Sequence, residues 1–418
     1  MRKSFAQKLA NSFTRSKTSR TTAEASTESS ASIADTSQST HSAATSRNLR
    51  DVSIRLDDYL DQIGLTGDEI DLDVISMSRQ IEKARKYTNG YFPASVQSCS
   101  LSDEDVELVK LAAWSAKAVY SSDTSQMERV SRVEEFSDYQ PTQHSENIDA
   151  SLRDGTVKET RIQLFSSTKG STTGLLVVAI RGSTSKRRDW TINFDDIGAG
   201  TDGDGFINTD DTKYQVHGGF LDCAKGMVEK ISEAISSVLS KAEQNVSNKS
   251  FQLLFTGHSA GGAVAALLYA HMMSKNSSSL ADLHPKFSSI QCITFGAPPT
   301  SNPALSTAHH PSSSTFLSII NEGDPVPRMD KEYIEALLII YISPMPDDGV
   351  TWDLPAMLLQ PAGTILFLKD GVQGFCDVKD DVGQKNTKDV LEATIFGNPR
   401  AHKMDMYLWK LGLVKGLF

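Results

Sequence analysis

Phe251-Gln-Leu-Leu-Phe-Thr-Gly-His-Ser-Ala-Gly-Gly-Ala-Val-Ala-Ala-Leu-Leu268 runs from consecutive apolar residues, through a turn with a glycine two positions either side of a serine, into an Ala-rich stretch. Residues 251–255 have the length and unbroken apolarity of a strand buried on both faces, and the residues from Ala260 onward suit a buried helix. A strand that passes almost directly into a helix must turn sharply, and a side chain at Gly257 or Gly261 would crowd that turn. In this setting Gly257-x-Ser259-x-Gly261 reads as an elbow that lifts a serine hydroxyl to the end of the strand, where the helix N-terminus favours a nearby oxyanion. By itself the short pattern would arise by chance roughly 0.2 times in a chain of this composition, so its place between strand and helix decides the reading.

Outward from the elbow, apolar runs at 161–165, 174–180, 290–295, 316–320 and 364–368 read as further strands, several of them apolar on consecutive residues. Helical patterns at 219–240, 260–274 and 387–396 lie between and after them. This alternation predicts an α/β fold with a mostly parallel central sheet flanked by helices. Residues 1–50 hold twenty Ser or Thr and almost no large apolar side chains, so a disordered tail is expected there. Over 51–100, Ile54, Leu56, Leu60 and Ile63 at helical spacing and a second segment around 74–87 predict an N-terminal helical cap. Ser102 then caps a helix whose apolar face runs from Val106 to Val119, which opens a catalytic domain over 101–418.

The net charge of −10 argues against a polyanion as main partner, so nucleic acid is set aside. Arg2, Lys3, Lys8, Arg15, Lys17 and Arg20 all precede the first acid, Glu24, but Phe5, Leu9 and Phe13 are separated by polar residues and form no secretory core. Apolar stretches such as 336–342 are far shorter than the roughly 20 residues of a membrane span, so membrane contact is expected to be peripheral. Cys99, Cys223, Cys292 and Cys376 show no CxxC spacing and read as free thiols in a reducing compartment. The sequons beginning at Asn245, Asn248 and Asn276 carry no meaning without secretion. A cytoplasmic protein that associates with a membrane or lipid-droplet surface is expected, with mitochondria the alternative because the N-terminus is basic, Ser-rich and free of acids.

A serine hydroxyl needs a base to take its proton, and in folds with this elbow the partners follow in the order Ser, Asp or Glu, His. Of His271, His284, His309, His310 and His402, only His402 fits that order well, and His217 is the next candidate base. Asp324 directly follows the strand-like run 316–320 and opens Asn321-Glu-Gly-Asp-Pro-Val-Pro327, whereas Asp330, Asp347, Asp348 and Asp353 compete on order alone. Donors for an oxyanion are expected from the Ala260 N–H and from Ser183, which follows the strand 174–180 in Arg181-Gly-Ser-Thr184. Trp190 and His258 are assigned to substrate binding or a lid.

Val178-Ala-Ile-Arg-Gly-Ser183 with Asp189-Trp190, His217-Gly-Gly-Phe220, Thr256-Gly-His-Ser-Ala-Gly-Gly262, Gly323-Asp-Pro-Val-Pro-Arg328 and His402-Lys-Met-Asp-Met-Tyr407 together resemble the class 3 lipase family over roughly 105–415. The resemblance implies an α/β-hydrolase fold, Ser259 as nucleophile, Asp324 as acid, His402 as base and Ser183 in the oxyanion hole. It also implies acyl esters of glycerolipids as substrates. The family holds phospholipases A1, feruloyl esterases and proteins that have lost activity, so a catalytically silent lipid-binding or signalling protein is the rival reading. The chain is expected to depart from the secreted fungal lipases in its cysteine pattern, in having no signal peptide and in the long separation, 78 positions, from Asp324 to His402. Within that interval, 334–345 and 354–368 are apolar enough for an acyl-binding wall as well as a strand.

Between Ser183 and His217 lies the position of the family's lid, where Lys186-Arg-Arg-Asp-Trp-Thr-Ile-Asn-Phe194 sets cations beside apolar residues suited to a lipid interface. No cofactor is expected. Calcium is the alternative at residues 202–211, where Asp202, Asp204, Gly205, Ile207 and Asp211 match the middle of an EF-hand loop, although Gly200 stands at the first ligand position.

Overall fold

Strands with consecutive apolar residues can only be satisfied between two helical layers, and the chain builds that arrangement. The computed structural model describes residues 70–120, 138–149, 157–168, 173–183, 200–207, 212–244, 250–274, 276–306, 315–378 and 387–414. In chain order these form α1 (Ile70–Lys86), β1 (Val96–Cys99), α2 (Asp103–Ala118), β2 (Tyr139–Ile148), β3 (Thr160–Ser167), β4 (Thr173–Ile180), β5 (Thr201–Asp202) and β6 (Gln215–Val216). Next come α3 (Gly218–Glu243), β7 (Ser250–His258), α4 (Ala260–Met273), β8 (Phe287–Phe295), β9 (Ser301–Asn302), β10 (Phe316–Asn321) and α5 (Lys331–Ile342). The series closes with β11 (Thr364–Leu368), β12 (Phe375–Val378), α6 (Thr387–Ala393) and α7 (Met404–Lys410). The expected tail, 1–50, and the first part of the expected cap fall outside the described residues.

The chain divides into two units, Met1–Thr88 with Lys331–Trp352, and Asn89–Asp330 with Asp353–Phe418. In the first, the Lys83 ammonium donates to the carbonyls of Tyr341 and Ser343 at 2.8 and 2.5 Å, capping the C-terminal turn of α5. Tyr87 meets Trp352 edge to face at 5.4 Å.

In the second unit the strands form a nine-stranded sheet in the order β1-β12-β11-β10-β8-β7-β4-β3-β2. Its centre, β4-β7-β8-β10-β11, is parallel, while β2, β3, β12 and β1 pair antiparallel at the two margins. Alternate residues of each central strand serve opposite layers. Leu175, Val177, Leu254 and Ile293 pack with Leu108, Ala112 and Leu408 of α2 and α7. Leu176, Val178, Leu253 and Phe255 pack with Phe220, Ile231 and Leu267 of α3 and α4. The parallel centre, both faces covered by helices and an elbow after β7 make this an α/β-hydrolase fold.

Two boundaries differ from the sequence expectation. Residues 51–100 are not all helical, because Val96–Cys99 pair with β12 as the outermost strand of the sheet, so the hydrolase unit begins at Asn89 and not at 101. Residues 331–352 group with the N-terminal segment and lie outside that unit; of the apolar interval 334–345, α5 takes the greater part as helix.

Candidate active site

Registers in the sheet align the strand ends that carry the expected chemistry. Ile180 of β4 lies beside Gly257 of β7, His258 beside Phe295 of β8, and Phe295 beside Ile319 of β10. Ser259 follows β7 directly and is the one non-glycine residue with positive φ among the described residues, at φ 58° and ψ −138°. Such a conformation costs on the order of 1–3 kcal/mol and persists where the surroundings over-determine it. Here the Ser259 N–H donates to the Phe295 carbonyl at 3.0 Å, and the Ser259 carbonyl accepts from Gly262 at 2.8 Å. A Cβ on Gly257 would stand 2.5 Å from the Gly261 backbone, and one on Gly261 would overlap the Ile180 carbonyl, so both glycines are required by close approach.

Asp324 follows β10, fully buried, and its Oδ1 accepts from the Val326 N–H at 2.9 Å. His402 ends the short 3-10 turn Pro399–His402. Its Nδ1 stands 3.0 Å from each oxygen of Asp324, which leaves Nε2 as the ring nitrogen able to serve a nucleophile. The turn is tied to the acid's strand end: the Asn398 N–H donates to the Gly323 carbonyl at 2.8 Å, and the Asn321 side-chain amide donates to the Ala401 carbonyl at 2.8 Å. The Tyr407 hydroxyl of α7 donates to Asp324 Oδ2 at 2.5 Å. Burial first, then the Asp324 charge, hold this phenol well above its ordinary range, so it stays a donor.

Ala260 begins α4, and Ser183 lies two residues beyond Arg181 at the end of β4. A Cβ on Gly182 would come within 3.1 Å of the Ser259 Cβ, which puts the loop carrying Ser183 against Ser259.

Other histidines have different work. His258, expected to bind substrate or serve the lid, is buried, with Nε2 2.6 Å from the His402 carbonyl and Nδ1 3.1 Å from the Tyr120 hydroxyl, so both ring nitrogens meet protein. His217 precedes α3 and stacks on Phe220 at 4.1 Å. His271 is buried between the Phe206 carbonyl and the Ser278 hydroxyl, at 2.8 and 2.7 Å, and pins the 203–207 turn to α4.

Trp190 and most of the expected lid lie outside the described residues. In the loop considered for calcium, Asp202 Oδ1 accepts from the Asp204 N–H at 3.0 Å and Asp204 pairs with Lys213 at 3.4 Å, while Asp210 and Asp211 lie outside the described residues. Among the described residues no cluster of three metal-ligating side chains occurs. Tyr120, Tyr407 and Gly296 are site residues that sequence reasoning left without a role. Tyr407 stood in the motif beginning at His402, and Gly296 is a glycine at a strand end, which is a recognisable signal of close approach.

Residues 177–333 match the family described as Lipase (class 3). That stretch resembles class 3 lipases. It contains Ser183, the Ser259 elbow and Asp324, and His402 lies beyond it. Secreted mono- and diacylglycerol lipase 1 of Fusarium solani is 27% identical over 160 residues, covering 37% of this chain and 39% of that protein. The alignment thus spans about two fifths of that relative's length. Among solved structures, the lipase of Rhizopus microsporus var. chinensis is 16% identical with a TM-score of 0.42, covering 75% of this chain and 91% of that one. A deletion mutant of Rhizomucor miehei lipase with its propeptide is 17% identical with a TM-score of 0.42, covering 75% and 87%.

Proposed function

We propose that the protein is a serine carboxylic-ester hydrolase, a lipase that cleaves acyl esters of glycerolipids and works peripherally at a membrane or lipid-droplet surface from the cytoplasm. The observation that carries the reading is Ser259, held at positive φ on the strand end, with His402 bound through Nδ1 to both oxygens of the fully buried Asp324. The match of residues 177–333 to class 3 lipases and the likeness to a mono- and diacylglycerol lipase of Fusarium support glycerolipid esters as the substrate class.

In this reading Ser259 Oγ attacks the ester carbonyl while His402 Nε2 takes its proton. The carbonyl oxygen becomes an oxyanion, received by the Ala260 N–H and by Ser183. Collapse breaks the bond to the alcohol oxygen, which leaves with the proton from His402, and the acyl group stays on Ser259. Water then attacks the acyl-enzyme with His402 as base, releasing the fatty acid and restoring the hydroxyl. Asp324 holds the ring orientation and stabilises the imidazolium formed in each half. Trp190 with Ile192 and Phe194, beside Lys186, Arg187 and Arg188, has the composition of a lid that opens at a lipid interface.

A panel of tri-, di- and monoacylglycerols, phospholipids and short soluble esters, with co-sedimentation on lipid emulsions, tests this reading. Acylglycerols are expected to be the best substrates, with the protein sedimenting with them. Ser259→Ala and His402→Ala are each expected to lower turnover by on the order of 10⁴, and Asp324→Asn by less. Hydrolysis undiminished in Ser259→Ala, or none by the parent on any ester, would overturn it.

A further inference from the structure

His258 directly precedes Ser259 and its ring stacks on that of His402, yet it has no role in the steps above. Its surroundings fix its hydrogen-bonding direction. The His402 carbonyl 2.6 Å from Nε2 can only accept, so Nε2 carries a proton. Burial, with His402 beside it, pushes His258 well below the ordinary histidine range, so the ring is neutral and Nδ1 is an acceptor. The donor at Nδ1 is then the Tyr120 hydroxyl, 3.1 Å away. The oxygen of that hydroxyl in turn accepts from the Gly182 N–H at 3.0 Å. A directed series results: Gly182 N–H to Tyr120, Tyr120 O–H to His258 Nδ1, and His258 Nε2–H to the His402 carbonyl.

The two ends of this series carry different parts of the proposed chemistry. Gly182 directly precedes Ser183 on the loop that would receive the oxyanion, and His402 would be the base. Space around the series leaves little slack. A Cβ on Gly182 would overlap the Tyr120 hydroxyl and stand 2.6 Å from the His258 carbonyl, and the His258 ring stacks on the His402 ring at 4.5 Å and 30°. Tyr120 is itself held in place, with its N–H donating to the Lys117 carbonyl at 3.1 Å and the Arg181 guanidinium lying 5.5 Å over its ring.

We infer that Tyr120 and His258 are positioning residues, a hydrogen-bonded bridge that sets the oxyanion loop and the main chain of the base at one fixed separation, with His258 kept as the neutral Nε2–H tautomer. This inference rests on the proposed roles of Ser259, His402 and Ser183. The bridge acts when charge develops, because the oxyanion donors and the imidazolium must be right at the same moment, and small displacements of such groups are expensive.

The test is kinetic, on a short soluble ester, with active sites counted by fluorophosphonate titration so that misfolded protein does not enter the rate. Tyr120→Phe removes one hydroxyl and keeps the ring. It is expected to lower kcat per titrated site by on the order of tenfold to a hundredfold with KM changed far less. His258→Gln, which keeps an N–H for the His402 carbonyl, is expected to retain more activity than His258→Ala. The double variant Tyr120→Phe with His258→Ala should lose little more than His258→Ala alone, since both break one bridge. Parental kcat per site in Tyr120→Phe, or losses that multiply in the double variant, would overturn the bridge while leaving the hydrolase reading intact; a parent that takes up no label would instead defeat that reading. On the unsubstituted protein, nitrogen NMR of the histidines is expected to show His258, identified by its loss in His258→Gln, protonated on Nε2 alone, and a ring protonated on Nδ1 at neutral pH would equally overturn it.

Discussion

Tyr407 meets Asp324, the proposed acid, with one atom and the backbone with the same atom: its hydroxyl donates to Asp324 Oδ2 at 2.5 Å and accepts from the Asn321 N–H at 3.2 Å. Hydrogen bonds to a buried carboxylate contribute about 1.5–3 kcal/mol, and Tyr407→Phe leaves Asp324 only His402 and the Val326 N–H among the partners described here. The variant is expected to lose about that much stability in a denaturation titration and to keep a larger share of activity than Asp324→Asn. Because the folded chain holds this phenol above its ordinary range, its contribution is present below ordinary tyrosine titration and is lost as pH rises through the raised value. The alkaline fall in stability should therefore be smaller in Tyr407→Phe, and an unchanged alkaline limb would contradict the assignment. Gly296 belongs to the same cluster, since at φ +54° a Cβ there would stand 2.6 Å from Asp324 Oδ2 and 3.1 Å from His402 Nδ1.

Legibility in the sequence followed the chemistry of each element. Strands β4, β7, β8, β10 and β11 were visible because burial on both faces demands consecutive apolar residues. The antiparallel β2, Tyr-Gln-Pro-Thr-Gln-His-Ser-Glu-Asn-Ile, was not, because as a margin strand it alternates between partly buried and exposed positions and carries few apolar residues. The four-residue β1 and β12 find their pairing only with each other and with β11, across most of the chain's length, and no local pattern records that. Motif and order pointed to Ser259, Asp324, His402 and Ser183, and of these the structure sets His402 Nδ1 against Asp324. The bridging role of His258 was not, because its partners Tyr120 and His402 lie far away in sequence and only the fold unites them. Helix α2 was read from its cap: Ser102 Oγ accepts from the Asp105 N–H at 3.1 Å and donates to Asp105 Oδ2 at 2.7 Å. Ser102→Ala is expected to cost about 1 kcal/mol in a denaturation titration while kcat per titrated site stays at the parental value. No change in the denaturation midpoint would show that the cap contributes nothing.

Across the second unit, the fold takes residues separated by long stretches of chain and places Ser183 after β4, Ser259 after β7, Asp324 after β10 and His402 ahead of α7, with the ends of β4, β7, β8 and β10 in register. Of the interval between Asp324 and His402, residues 331–352 belong to the other unit. The stretch matched to the class 3 lipase family ends at residue 333, so the proposal of His402 as base rests on its contact with Asp324 and on the ties between its turn and the β10 strand end. The most direct measurement of the central claim is reaction of the folded, full-length protein with a fluorophosphonate, followed by mapping of the adduct. The account predicts one adduct per chain, on Ser259, with no labelling of Ser259→Ala and strongly slowed labelling of His402→Ala. An adduct on another serine, or parental labelling of Ser259→Ala, would contradict it.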